Sequence, residues 1–206
     1  LSTRIRIKMC GMMREEDVAY AVSLGVDAVG FIFYEKSSRA IDFAQVKALG
    51  KVPAFVSVVG VFVNPAAAQV RQVLQETPVT HLQFHGEESA DFCTQFNKPY
   101  LKAIAATSSA EIVQQVRQHS QASAILLDTP ATCRGGSGQV FDWQIIPKAL
   151  GKPVILAGGL NATNVHAAVA QYPLYGVDVC SGIELKPGIK DHNKMREFVN
   201  ALWGKK

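Results

Sequence analysis

Eight times along this chain, a short run of apolar and often β-branched residues is followed by a stretch with the period of an amphipathic helix. The strand candidates are Arg4 to Met9, Ala28 to Phe33, Ala54 to Phe62, His81 to Phe84, Tyr100 to Ile104, Ala124 to Leu127, Pro153 to Ala157 and Gly176 to Val179. They recur about every twenty to thirty residues, the length of one strand–helix unit. Strands that each wait for a helix before the next begins run parallel. Eight of them predict an α/β fold closed into a (β/α)8 or TIM barrel. The rival is an open doubly wound sheet, which normally has five or six strands and a Gly-x-Gly-x-x-Gly turn after the first; no such turn follows the first strand here.

The helical stretches carry their own start and stop signals. "REEDVAYAVSLG" opens acidic and closes on Gly25, "DFAQVKALG" has Asp42 as its cap and Gly50 at its end, and "NPAAAQVRQVLQ" offers Asn64 as cap with Pro65 at the first helical position. "ESADFCTQF", "SSAEIVQQVRQH", a short segment after Asp142, "NATNVHAAVAQY" and "DHNKMREFVNALW" complete eight expected helices.

At 206 residues and 48% hydrophobic, with no linker-like stretch, the chain reads as one domain over 1–206. That is short for a barrel of typically about 250 residues, so its loops must be short. No signal-peptide core or membrane-length run is visible, which places the expected protein, soluble, in the cytoplasm. The start at Leu1 would follow from processing or from excision out of a longer chain. Cys10, Cys93, Cys133 and Cys180 form no C-x-x-C pair, so reduced thiols are expected, and neither a zinc knuckle nor a disulfide framework. The net charge of +4 comes from scattered Lys and Arg not interleaved with aromatics. This argues against a nucleic-acid surface and fits a small anionic substrate equally well.

Active sites of this fold sit at the carboxyl ends of the strands. Those ends carry Cys10-Gly11, the "YEKSSR" loop with Arg39, Asn64, His85-Gly86, Asp128, Gly158-Gly159 and Cys180-Ser181-Gly182. Gly158 and Gly159 let backbone amides approach an anion at a helix expected to start at Asn161, and Ser181-Gly182 adds a hydroxyl and further amides. The loops after strands seven and eight are where this fold frequently holds phosphate, although glycines also serve plain tight turns. "TPATCRGGSGQVF", Thr129 to Phe141, is the longest connection after any strand and is expected to act as a mobile cover over the substrate.

"IKMCG", "GFIFYEKSSR", "LQFHG", "LLD", "RGGSGQVFDW", "ILAGGLNATNV" and "GVDVCSGIELKPGIKD" stand in an order and spacing that resembles phosphoribosylanthranilate isomerase, an enzyme family of tryptophan biosynthesis. The resemblance runs from Arg4 to Trp203. It implies an Amadori rearrangement of N-(5-phosphoribosyl)anthranilate, a phosphosugar carrying an anthranilate group, with no cofactor and no metal. By the same resemblance Cys10 is the general base and Asp128 the general acid. Arg39 pairs with the anthranilate carboxylate, His85 and Asp178 line the substrate pocket, and Gly158, Gly159, Ser181 and Gly182 hold the phosphate. Asp178 has a second reading, a structural hydrogen bond inside the barrel, and His85 equally fits a rim residue.

Lys8 and Arg39 are the candidate cations for turning the Cys10 thiol into a base. The sequence departs from the family at Met9, at Met13 in place of a usual threonine, and at Cys180 in place of a usual serine, which removes a hydroxyl from the phosphate side. The related sugar isomerase of histidine biosynthesis resembles a design with aspartate, not cysteine, ending strand one. A non-catalytic phosphosugar-binding barrel would keep the glycines without needing a thiol and a carboxyl across the mouth. No membrane or nucleic-acid partner is expected, and the oligomeric state, monomer or homodimer, stays open.

Overall fold

In the computed structural model, which describes residues 4–49, 52–129 and 143–204, the apolar runs form β1 (Arg6–Met9), β2 (Ala28–Ile32), β3 (Ser57–Phe62), β4 (His81–Phe84), β5 (Tyr100–Ala105), β6 (Ala124–Asp128), β7 (Val154–Leu156) and β8 (Gly176–Val179). Each strand pairs in parallel with the next. β8 returns to β1 with Arg6 opposite Gly176 and Met9 opposite Val179, which closes the barrel. Around it lie α1 (Glu15–Ser23), α2 (Phe43–Ala48), α3 (Ala67–Glu76), α4 (Ala90–Thr94), α5 (Ser109–Gln118), α6 (Val165–Gln171) and α7 (His192–Trp203). Among the described residues, β6 is followed by a single 3-10 turn, Trp143–Ile145, where an eighth helix was expected.

Alternation along each strand separates two apolar layers. Outward-facing Ile7, Met9, Phe31, Phe62 and Phe84 pack under the helices, where each fully buried large side chain is worth about 1.5–3 kcal/mol. Phe84 is ringed there by Phe62, Phe92, Phe96 and Tyr100 at centroid distances of 5.8–6.1 Å. The inward-facing set, Val59, Val61, Leu101, Ala103, Ala124, Leu126, Ile155 and Ala157 with Cys10, fills the barrel itself. Small residues prevail on this inner face toward the carboxyl ends. The barrel therefore opens into a cavity at its mouth instead of packing solid.

Several local expectations need correction. β3 begins at Ser57 rather than Ala54, because Phe55 takes a left-handed φ of 73° and stands fully exposed outside the sheet. Asn64 does not cap α3: that position is Ala66, with no side-chain cap, and Pro65 precedes the helix. Asn64 instead sits at φ 46° and accepts through Oδ1 from the Glu87 amide at 2.7 Å, tying the loop after β3 to the loop after β4. After β8 the chain adds a short antiparallel hairpin, β9 (Glu184–Lys186) and β10 (Ile189–Lys190), turning through Gly188 at φ 81°. Asp42 does cap α2, in a reciprocal capping box with Gln45.

The loop after β4 is anchored from below by a buried ion pair. Lys102, inside the wall at β5, donates to Glu88 Oε2 at 2.9 Å and to the Gly86 carbonyl. Glu88 Oε1 accepts from the Asn64 amide at 2.8 Å, and both side chains are almost fully buried. Removing one partner leaves the other charge buried without its counterion. Lys102→Met is expected to cost about 3–5 kcal/mol in urea unfolding; a loss under ~1 kcal/mol would show that the pair does not anchor this loop.

Candidate active site at the carboxyl ends of the strands

The mouth encloses a cavity of about 970 Å³ whose wall includes Cys10, Arg39, Gln83, His85, Asp128 and Asp178. Alternation puts them there. Lys8 and Cys10 follow one another on the inner face of β1, Gln83 and His85 on that of β4, Leu126 and Asp128 on β6, and Asp178 and Cys180 on β8. Cys10, Asp128, Arg39, His85, Asp178, Gly158, Gly159 and Ser181 all border this one cavity. Gly182 lies behind it. A Cβ there would collide with the Leu160 carbonyl oxygen, so this glycine lets the loops after β7 and β8 meet backbone to backbone.

The first cluster crosses the closing seam of the barrel. Lys8 Nζ donates to both carboxylate oxygens of Asp178 at 3.0 Å and lies beside the Cys10 thiol. The side chains of the pair are 5% and 8% exposed, so water screens them little. Burial alone would lower the Lys8 ammonium, but the charge of Asp178 and its contact with Cys10 hold it above the usual lysine range. For Cys10 the balance runs the other way: burial raises the thiol, Lys8 opposes this, and the Asp178 charge adds to the rise. Lys8 is shared between two potential anions and Lys190 adds only a smaller pull, so with Asp178 ionised Cys10 rests as a thiol. A Cβ at Gly30 on the neighbouring strand would come within 2.8 Å of the Cys10 sulfur and 3.0 Å of Lys8 Nζ. Glycine is what fits there.

Across the cavity, His85 Nε2 lies 3.0 Å from Asp128 Oδ2, and His85 Nδ1 lies 3.1 Å from the amide nitrogen of Gln83. Asp128 is buried, and its other oxygen borders Gly158, where a Cβ would stand 2.7 Å away. The expected cover from Thr129 to Phe141 lies outside the described residues, apart from Thr129, which is buried next to Asp128.

A third cluster was not expected from sequence. Arg39 donates from Nε and Nη2 to both oxygens of Glu184 at 2.7–3.1 Å, and Lys190 Nζ donates to Glu184 Oε1 at 2.9 Å. Burial raises the Glu184 carboxyl, but the hydrogen bonds from Arg39 and Lys190 outweigh it and keep it below the usual glutamate range. Glu184 belongs to the β9–β10 hairpin, so the unforeseen strands are what orient Arg39. The one available signal was "IELKPGIKD", in which an acid and a lysine flank a Pro-Gly turn. Cys180 faces the same cluster, with its sulfur 3.8 Å from Lys190 Nζ. Burial pushes its thiol up to about 12.

The anion rim also differs in detail. α6 starts at Val165, four residues after the expected Asn161, because Asn161 and Asn164 close a turn on each other through side-chain bonds at 2.9 and 3.2 Å. The available amides on this side therefore belong to the Gly158-Gly159 turn, with φ of 81° and 67°, and to the Ser181–Ile183 turn, not to a helix end.

A closed (β/α)8 barrel whose inner face brings a thiol, an imidazole and a carboxyl onto one cavity has the make-up of a barrel enzyme that works by proton transfer. The model of the N-(5'-phosphoribosyl)anthranilate (PRA) isomerase family matches residues 7–201, and the chain belongs to that family. N-(5'-phosphoribosyl)anthranilate isomerase of Legionella pneumophila (strain Paris) is 53% identical to it, over 98% of this chain and 99% of the relative. The crystal structure of phosphoribosyl anthranilate isomerase from Thermotoga maritima superimposes with a TM-score of 0.90 at 34% identity, covering 98% of this chain and all of the other. A phosphoribosyl anthranilate isomerase solved in complex with reduced 1-(o-carboxyphenylamino)-1-deoxyribulose 5-phosphate superimposes at 0.83 with 31% identity, covering 98% of this chain and all of the other.

Gly158 offers a test of the geometry around Asp128. In Gly158→Ala the new methyl would collide with Thr129 Oγ1 and stand 2.7 Å from Asp128 Oδ1, on a backbone already in the left-handed region. Turnover is expected to fall on the order of 100-fold with an unchanged far-ultraviolet circular dichroism spectrum, the cost of an ångström-scale displacement of Asp128 if turnover depends on its position. Unaltered turnover would show that this turn does not hold Asp128.

Proposed function

We propose that Cys10 and Asp128 are the general base and general acid with which this member of the family converts N-(5'-phosphoribosyl)anthranilate, an aminoaldose, into the corresponding 1-deoxyribulose phosphate aminoketose. The observation that carries this reading is the placement of a thiol beside a buried ammonium on β1, facing the same cavity as a buried carboxyl held by His85 on the far wall. Asp128 gives its proton to the ribose ring oxygen. The C1–O bond then breaks, and the anthranilate nitrogen takes up the positive charge as an iminium. The Cys10 thiolate removes the proton from C2, leaving an enolamine that tautomerises to the ketone.

Lys8 answers how a buried thiol becomes a base. Its ammonium lies next to the sulfur and favours the thiolate in a site where little water screens the charge. Asp178 keeps that ammonium in place and lines the substrate cavity, so both of its sequence readings find support in one position. Arg39 has Nε and Nη2 on Glu184; the Nη1 side of its fork is assigned to the anthranilate carboxylate. The amides of Gly158, Gly159 and Ser181 are assigned to the phosphate, with the Ser181 hydroxyl, while Gly182, expected to join them, lies behind the cavity and lets the two loops meet. Cys180 adds no hydroxyl there, and its sulfur is turned toward Lys190 and Glu184. No described helix is long and apolar enough to cross a membrane, and a catalytic thiol fits the reducing cytoplasm.

Cys10→Ala and Asp128→Ala are each expected to lower kcat by about 10²–10⁴-fold with the fold retained, followed by the loss of anthranilate-type fluorescence from phosphoribosylanthranilate. Wild-type turnover in either variant would overturn its assignment. The electrostatic account has its own test, the pH dependence of iodoacetamide alkylation at Cys10 read by peptide mass spectrometry. Removing the competing anion in Asp178→Asn is expected to move the alkylation midpoint to lower pH. Removing the cation in Lys8→Met is expected to move it higher. Shifts of the opposite sign would exclude Lys8 as the group that activates the thiol.

A further inference from the structure

Three side chains form a line through the barrel wall: Gln83 to His85 Nδ1 at 3.1 Å, then His85 Nε2 to Asp128 Oδ2 at 3.0 Å. Gln83 and His85 are two residues apart on the inner face of β4, so both reach the cavity from one strand. Gln83 is 1% exposed, and while its amide nitrogen meets His85, its oxygen is buried with no hydrogen-bond partner among the described residues. An uncommitted end in the interior is uncommon, because a buried polar atom normally finds a partner. Its consequence is that His85 alone selects which end of this amide faces the imidazole. The two ends are nearly equal in size, so half a turn about the last side-chain bond exchanges a donor for an acceptor at almost constant shape.

From this geometry we infer that Gln83 is the positioning residue that lets His85 hold Asp128 in both of its protonation states. With its nitrogen toward the ring, Gln83 donates to Nδ1. The hydrogen of the neutral imidazole then resides on Nε2 and is donated to Asp128 as a carboxylate. With its oxygen toward the ring, Gln83 accepts from Nδ1–H. Nε2 then carries a lone pair and accepts from Asp128 as a carboxylic acid, the form able to protonate the ring oxygen. Atoms and charge balance throughout, because the proton Asp128 loses goes to the substrate, and the imidazole only moves its single hydrogen from Nδ1 to Nε2 by exchange with solvent or substrate hydroxyls. A side chain that could only donate, or only accept, would favour one form of Asp128 and hinder the cycle. Among the described residues, the charged groups facing His85 are Asp128 from β6 and Asp178 from β8, with Lys8 behind Asp178.

The inference rests on Asp128 as the acid, and its test separates the two. Protein labelled with ¹⁵N-histidine is examined by long-range ¹H–¹⁵N correlation, with the His85 ring assigned by His85→Gln. In the unliganded wild type the nitrogen-inward amide is expected to leave Nδ1 unprotonated and Nε2 protonated. Gln83→Glu, which only accepts, is expected to put a hydrogen on Nδ1. Gln83→Met, of similar size but without polar atoms, is expected to populate both tautomers. In both variants kcat is expected to fall on the order of 10-fold with KM within about twofold, as for impaired acid catalysis and not lost binding. His85 ring signals identical in wild type and both variants, or kcat within twofold of wild type in both, would overturn the role of Gln83 and leave Asp128 as the acid. Full turnover in Asp128→Ala would instead remove the acid, whatever the ring signals show.

Discussion

The barrel closes where β1 meets β8, and the Lys8–Asp178 ion pair spans that seam with Cys10 one inward position further along. Closure and chemistry therefore share a register. A slip of β1 by one residue against β8 would turn Lys8 and Cys10 outward under the helices, away from Asp178, and bring Ile7 and Met9 into the cavity. The buried pair is held because each member has its partner at 3.0 Å, and the thiol borders that pair, with Lys190 adding a smaller pull. Its reactivity is thus tied to how completely Asp178 satisfies Lys8.

The rest of the site depends on small residues as much as on charged ones. Gly30 leaves room for Cys10 and Lys8, Gly11 lets Arg39 lie within what would be 2.9 Å of a side chain, and Gly158 lets the loop after β7 touch Asp128. Alanines at 103, 105 and 157 keep the inner face low near the mouth, and that is what makes a cavity of about 970 Å³ out of a packed barrel. Beneath and beside it, Lys102–Glu88 and Arg39–Glu184–Lys190 fix the loops after β4 and β8. These two ionic clusters thus serve loop position, whereas the Lys8–Asp178 pair bears on the charge state of Cys10.

Much of this was legible in the sequence because strands and helices write their periods into it. All eight strands lie within a few residues of their expected bounds, and Cys10, Arg39, His85, Asp128 and Asp178 were found at or just beyond the carboxyl ends of those strands. The misses share a cause, namely that they depend on contacts that periodicity does not encode. Asn64 looks like a helix cap until the Glu87 amide competes for its side chain. Asn161 looks like a helix start until Asn164 folds back on it. The β9–β10 hairpin is too short for a periodic signal, and Glu184 becomes notable only when Arg39, 145 residues away, is seen to end on it.

What the sequence by itself determined is the parallel eightfold alternation, the parity that turns particular side chains inward, and the residue types at the strand ends, since these arise from local backbone geometry. Only the tertiary structure decided which of those groups share partners. It made Lys8 the cation hydrogen-bonded to Cys10, gave the Arg39 fork to Glu184, and placed Gln83 behind His85 and Asp128. The reason is electrostatic. A buried charge takes whichever counterion the folded chain brings within about 3 Å, and that choice is made between strands far apart in the sequence.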